Sequence, residues 1–459
     1  MKRLILAAAL GAALAGCTAK EKIAEVAPPP PADVSPPRPE LAPASAGPWR
    51  ITKTAWTKAD EEGFGEFVRR IAESGCSTTI ACMESAANFY HDSDPVTFRF
   101  HADCAKWAYM LRAYYASKNG LPFSYVDRIT GEGPDLRYDR TSNIAIERRD
   151  IIDTGAGIDT TAVLQELHDH VSTATYRMDP AAETPVEQDF YSPKLAPGAI
   201  RPGTAIYDIN GHVMLVYDIT GDGSILYMDA HPDEIVTRGV YGPQVPQSQA
   251  ALGGGFKNFR PLQLVDAQKQ ADGSYIGGHV VLVENAAIED FSLEQYQGNA
   301  AAAGVPADGM AFRYNNVPLD LYEYVRASMS KGGFAFNPVY ELEATMDSLC
   351  HDAKLGTPEA DARVQSGLSG LSADLSKDAA AWEARDLRVV YHGVSLKQTL
   401  ADAYAAKEQA CVADASAGNA KPGHPLEPFV RRAPEADVQR VIARIADSTP
   451  FSGMRPVGY

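Results

Sequence analysis

The chain has little positive charge and gathers none of it. Lys and Arg number 42 against 59 Asp and Glu in 459 residues, a net charge of −17, and no run of five or more basic residues occurs. A nucleic-acid partner is therefore not expected. Long apolar runs are also lacking: the stretch Leu4 to Leu14 falls short of the roughly 20 residues that a bilayer-spanning helix needs. There is no HExxH pair, no CxxC pair and no glycine-rich phosphate loop, so no metal site, nucleotide site or other cofactor is expected. No fixed-period repeat is present, which argues against a solenoid or propeller. What remains is ordinary globular composition, 45 % hydrophobic and 22 % charged, in a chain long enough for two or three domains.

Cysteine is scarce too, with six residues in all, and each of them suggests a use. Cys17 ends the run LAGC behind Met1, Lys2, Arg3 and the short apolar stretch, the pattern of a bacterial lipoprotein signal peptide over residues 1–16. Its thiol would carry lipid, and Thr18, not being the Asp that favours inner-membrane retention, points to the outer membrane with the protein facing the periplasm. Residues 17–49, which include EVAPPPPADVSPPRPELAPASAGPW, are too rich in proline to fold and read as the lipid anchor and a tether. Cys76 and Cys82, in SGCSTTIAC, can close a local disulfide, and Cys350 and Cys411 share a helical region and form a natural second pair. Cys104 is left over.

Pattern divides the folded part. Residues 50–318 read as one α+β domain, with helices expected at Ala59–Ser74 and Asp103–Lys118 and an insertion near 126–197. Within that insertion Thr161 to Thr173 is helical. Strands follow at Gly203–Ile209, His212–Ile219, Ser224–Ala230 and His279–Ala286, rich in β-branched and aromatic residues and bounded by Gly, Pro, Asn and Asp. Residues 319–459 turn mainly helical, with apolar residues three and four apart.

Asp103 is a good N-cap and Asn119-Gly120 a good stop, so Cys104 falls in the first turn of its helix, with Trp107, Leu111 and Tyr114 sharing its buried face. A helix N-terminus favours thiolate over thiol and can steady an oxyanion. A buried cysteine acting as a small hydrophobe is the competing explanation. A thiol nucleophile needs a base, and among ten histidines His212 stands apart, opening a strong strand after an Asn-Gly turn. If the next turn sets Ile219 against Ser224, then Asp229 and His231 fall on the face that His212 occupies; a one-residue slip would remove both. Asp229 is preferred as the group that orients the imidazole. His279 has no comparable acidic partner. Two aromatic-basic segments suit packing better than ligand binding: Gly253–Gln263 reads as a loop packed against the core more than as a substrate loop, and Trp382–Gly393 as a junction that knits the C-terminal region together more than as a partner site.

DCAKWAYMLR (Asp103 to Arg112) followed by RPGTAIYDINGHVMLVYD (Arg201 to Asp218) resembles the papain-like thiol hydrolases of the NlpC type. The same order is similar to their transglutaminase-like branch, whose Cys, His and Asp map onto Cys104, His212 and Asp229. Ala105 and Lys106 depart from the Ser-Gly that usually follows the NlpC cysteine, and His231 would be the NlpC partner in place of Asp229, so the branch stays open. The resemblance implies a papain-like α+β fold and a Cys104-His212-Asp229 triad cutting amide bonds, with peptide or peptidoglycan stems as substrate. An acyl transferase and a non-catalytic envelope scaffold with a protein partner are the alternatives.

Overall fold

The computed structural model describes residues 38–43 and 47–330, with short gaps at 96–97, 222, 243–244, 246, 300–310, 315–316 and 320. Beyond these it describes 335–336, 346, 350, 406–407, 409–411 and 455–456. The leader, Cys17, most of the tether, Trp382–Gly393 and nearly all of the expected helical C-terminal region lie outside the described residues. Among the described residues no helix is long and apolar enough to cross a membrane.

The described part is mixed α plus β with antiparallel sheets. In chain order it runs through helices α1 (Lys58–Glu73), α2 (Thr79–Glu84) and α3 (Cys104–Asn119), then strands β1 (Phe123–Thr130) and β2 (Ile144–Ile151) and helix α4 (Thr160–His170). Strands β3 (Phe190–Tyr191), β4 (Ala205–Asp208), β5 (His212–Ile219), β6 (Ile225–Ala230), β7 (Val236–Val240) and β8 (Gly255–Phe259) follow. These last six form one antiparallel sheet in the order β3-β8-β4-β5-β6-β7, while β1 and β2 form a separate pair that begins just before the expected insertion and continues into it.

Local sequence explains the two long helices. Thr57 and Asp60 make a reciprocal capping box at the start of α1, which satisfies two backbone donors at once. Asp103 caps α3 by accepting from the Ala105 and Lys106 amides, and Gly120, at φ 63°, closes its other end in the left-handed conformation that glycine tolerates best. The helix differs from expectation in being buried on nearly every side, with Ala105, Tyr109, Arg112 and Ala116 as covered as Trp107 and Leu111. Its polar Arg112 survives burial because both terminal nitrogens donate to Glu61 of α1, at 2.7 and 2.6 Å. The guanidinium also lies 3.4 Å from the Trp56 ring centre.

Helices α1 and α3 cover one face of the sheet. Val213, Leu215, Met228 and Ala230 join their core, whereas Ile206, Met214, Val216 and Tyr227 pack on the other face with helix Leu321–Met329. Asp189 ties the β1–β2 hairpin to this body, accepting from the Tyr109 hydroxyl, the Val126 amide and Arg148.

Three sequence expectations change. The folded part reaches back beyond residue 50: Trp49 is buried and pairs with Ile158, Leu41 is buried, and Arg38 holds Glu73 with two hydrogen bonds. Residues 38–43 and 47–49 therefore do not belong to the tether expected over 17–49, because Leu41 and Trp49 supply apolar anchors that the proline content obscured. Gly253–Gln263 is not a loop but contains β8, hydrogen-bonded to β3 and β4. Residues 335–336 and 455–456 form a short strand pair within the region read as helical. Both disulfides, Cys76–Cys82 and Cys350–Cys411, are present.

Candidate functional site

The three residues singled out by sequence come from α3, β5 and β6, neighbouring elements of one layer pair. Strand β6 pairs with β5, but the turn sets Ile219 against Ile225, one residue away from the expected Ser224. A bulge at Tyr217 then absorbs the extra residue, so that Val216 faces Tyr227 and Leu215 faces Met228. Carried to the strand ends, this restored register sets Asp229 and His231 on the His212 side. The expected placement holds although the turn that was to produce it differs.

His212 Nε2 lies 2.6 Å from Asp229 Oδ2. Both side chains are almost fully buried, at 4 % and 3 % exposure, so the bond is not screened by solvent. Strand β7 adds Thr237, directly opposite Asp229, whose hydroxyl donates to Asp229 Oδ1 in a very close contact. His231 Nε2 stands 3.0 Å from Thr237 Oγ1 and 3.5 Å from Asp229 Oδ2. The His212 and His231 rings are nearly parallel, 17° apart in plane, with centroids 5.3 Å apart. Sequence reasoning missed Thr237 entirely, since β7 carries no motif and only the β6–β7 register reveals it.

Cys104 is the one described cysteine outside a disulfide, and it is buried. Tyr176 locates it. The Tyr176 hydroxyl donates to the Ala105 carbonyl at 2.7 Å, and its ring stacks on Tyr207 of β4. Tyr207 pairs with Val213, the residue after His212. The first turn of α3 and the start of β5 thus share one end of the sheet. Burial foremost, then the nearby Cys104 and Asp103 charges, push the Tyr176 pKa well above its ordinary value, keeping the phenol a donor. Alternation along β5 sends Val213 and Leu215 toward α3 and sets His212 in phase with Met214, on the side of the strand away from the body of that helix.

The helix terminus is also more occupied than its sequence suggests. Asp103 Oδ1 takes the Ala105 and Lys106 amides at 3.1 Å each, and Lys106 Nζ pairs with the same carboxylate. An oxyanion bound here would rest on the Cys104 N–H and on groups outside the turn.

His212, Asp229 and His231 offer three donor atoms within 4.8 Å of one another, the spacing of a metal site. The same atoms are already at hydrogen-bond distance within the protein, His212 Nε2 from Asp229 Oδ2 and His231 Nε2 from Thr237 Oγ1. The contacts are those of a hydrogen-bonded chain. His279 is exposed on strand His279–Leu282, and its nearest acidic group, Asp266, lies 3.6 Å away on an exposed side chain.

No known protein family, curated protein or solved structure matches this chain.

Proposed function

We propose that the protein is a cysteine-dependent hydrolase of amide bonds on a papain-like fold, with Cys104 as nucleophile, His212 as base and then acid, and Asp229 as the group that orients His212. The observation that carries this reading is the buried 2.6 Å contact of His212 Nε2 with Asp229. A carboxylate is an acceptor only, so Nε2 carries the proton and neutral His212 has its lone pair at Nδ1. That nitrogen is the one a thiol needs.

The cycle follows from these roles. His212 Nδ1 takes the Cys104 proton as sulfur adds to the substrate carbonyl, Asp229 stabilises the imidazolium, and the same proton passes to the departing amine. Water, activated by His212 in turn, cleaves the thioester and restores the thiol. Peptide stems of the cell wall are the proposed substrate. A lipid on Cys17 and the proline-rich tether would hold the enzyme at the outer membrane within reach of that wall.

Digestion of purified wall peptides by the full chain, beside Cys104→Ala, tests the proposal. New amine termini should appear with the native chain alone. Equal product from both chains, or none from either across peptide and wall substrates, would overturn it.

A further inference from the structure

We infer that Thr237 and His231 are positioning residues, which fix Asp229 and through it hold His212 in a single protonation pattern. The inference rests on the hydrolase reading above for its kinetic consequence, but its structural part stands by itself.

The proton count fixes the direction of the chain. Asp229 can only accept, from His212 at Oδ2 and from Thr237 at Oδ1. Thr237 has one hydroxyl proton, and it is committed to Asp229. The 3.0 Å contact between Thr237 Oγ1 and His231 Nε2 must then have His231 as donor. Both histidines are therefore Nε2–H tautomers, joined as His231 to Thr237 to Asp229, with His212 donating to the other carboxylate oxygen. All four residues are at most 5 % exposed, so water is not at hand to replace a missing member.

The outer end of the chain is itself held. The His231 amide donates to the Ile235 carbonyl at 3.0 Å, and Glu234 between them adopts φ 66°, a left-handed conformation a glutamate adopts only when its surroundings impose it. The Cys76–Cys82 loop supplies that support. Thr79 N donates to the Glu234 carbonyl and Val236 N to the Ser77 carbonyl, both at 2.9 Å.

Nitrogen-15 NMR of both histidines and the pH profile of Cys104 alkylation, measured on the full chain and on Thr237→Val and Thr237→Ser, test the inference. The native chain should show Nε2–H for His212 and His231. Thr237→Ser, which keeps the hydroxyl, should alkylate within about twofold of native. Thr237→Val should alkylate about tenfold more slowly at neutral pH, the scale of one lost hydrogen bond to a charged group, and its His212 should no longer show one tautomer. Nδ1–H on either native histidine, or a Thr237→Val chain with native tautomers and profile, overturns the inference. Should native Cys104 react no faster than a free thiol, the hydrolase reading fails while the tautomers still decide the chain. Should Thr237→Val not fold, the native tautomers decide it.

Discussion

Replacing Asp229 by Asn changes one atom of the carboxylate and, by the geometry here, reverses the proton on His212. Thr237 donates to Oδ1, so the amide oxygen takes that place and the NH2 group faces His212 Nε2 across 2.6 Å. Nε2 must then accept, and the imidazole proton moves to Nδ1, where the thiol needs a lone pair. Two losses follow. The charge-assisted bond that stabilises the imidazolium, about 1.5–3 kcal/mol, is gone. Regaining the reactive tautomer sets one N–H against another in a buried site, about 1–3 kcal/mol more. Together these amount to roughly two to four decades in rate, at about 1.4 kcal/mol for each. Shape and packing are unchanged, so stability should move by no more than about 1 kcal/mol. Alkylation of Cys104 and hydrolysis of a peptide substrate, with thermal unfolding alongside, read both quantities. An Asp229→Asn chain that keeps more than a tenth of native activity would refute the reasoning, as would one that loses activity only because it unfolds.

Other perturbations test the fold that holds the site. Lys257 of β8 is buried, and burial lowers its pKa from 10.5 to about 7, partly offset by Asp179. Between those values the unfolded chain binds the extra proton, so stability should climb by up to about 1.4 kcal/mol per pH unit from pH 7 toward 10.5; Lys257→Met should be more stable at pH 7 and should flatten that part of the urea-unfolding profile. Gly211 precedes His212 at φ 91°, and an added Cβ would meet the Tyr138 ring at 2.9 Å. Because Tyr138 is half exposed and can swing aside, Gly211→Ala should cost chiefly the left-handed backbone, about 1–2 kcal/mol in a denaturant titration, and adding Tyr138→Ala should recover little.

Much of the site was legible because its parts are local. A cap, a stop glycine and an Asn-Gly turn announce α3 and the head of β5, and period-2 spacing puts Asp229 and His231 on one face. The bulge at Tyr217 was not legible, since nothing in YDITGDGS distinguishes an extra residue in the strand from one more in the turn. Thr237 was hidden for a related reason: its role exists only through cross-strand pairing with Asp229, and β7 is too short and too ordinary to stand out. Strand β8 was misread because glycines and charges in GGGFKNFR suggest a loop, while Lys257, Asn258 and Arg260 are in fact buried. Asn258 meets Thr204 and Tyr191, and Arg260 meets backbone carbonyls. The extent of the tether was obscured by proline, which marks an extended chain equally well whether it is solvated or, as at Pro48-Trp49, docked.

The pairing of Cys104 with His212 is tested most directly by the pH dependence of Cys104 alkylation, read on its own peptide by mass spectrometry in the native chain and in His212→Ala. A paired thiol should react along a profile that rises well below the ordinary cysteine value of about 8.5, and His212→Ala should push that rise upward and slow the reaction at neutral pH. A native profile that rises near 8.5 and is the same without the imidazole would contradict the pairing.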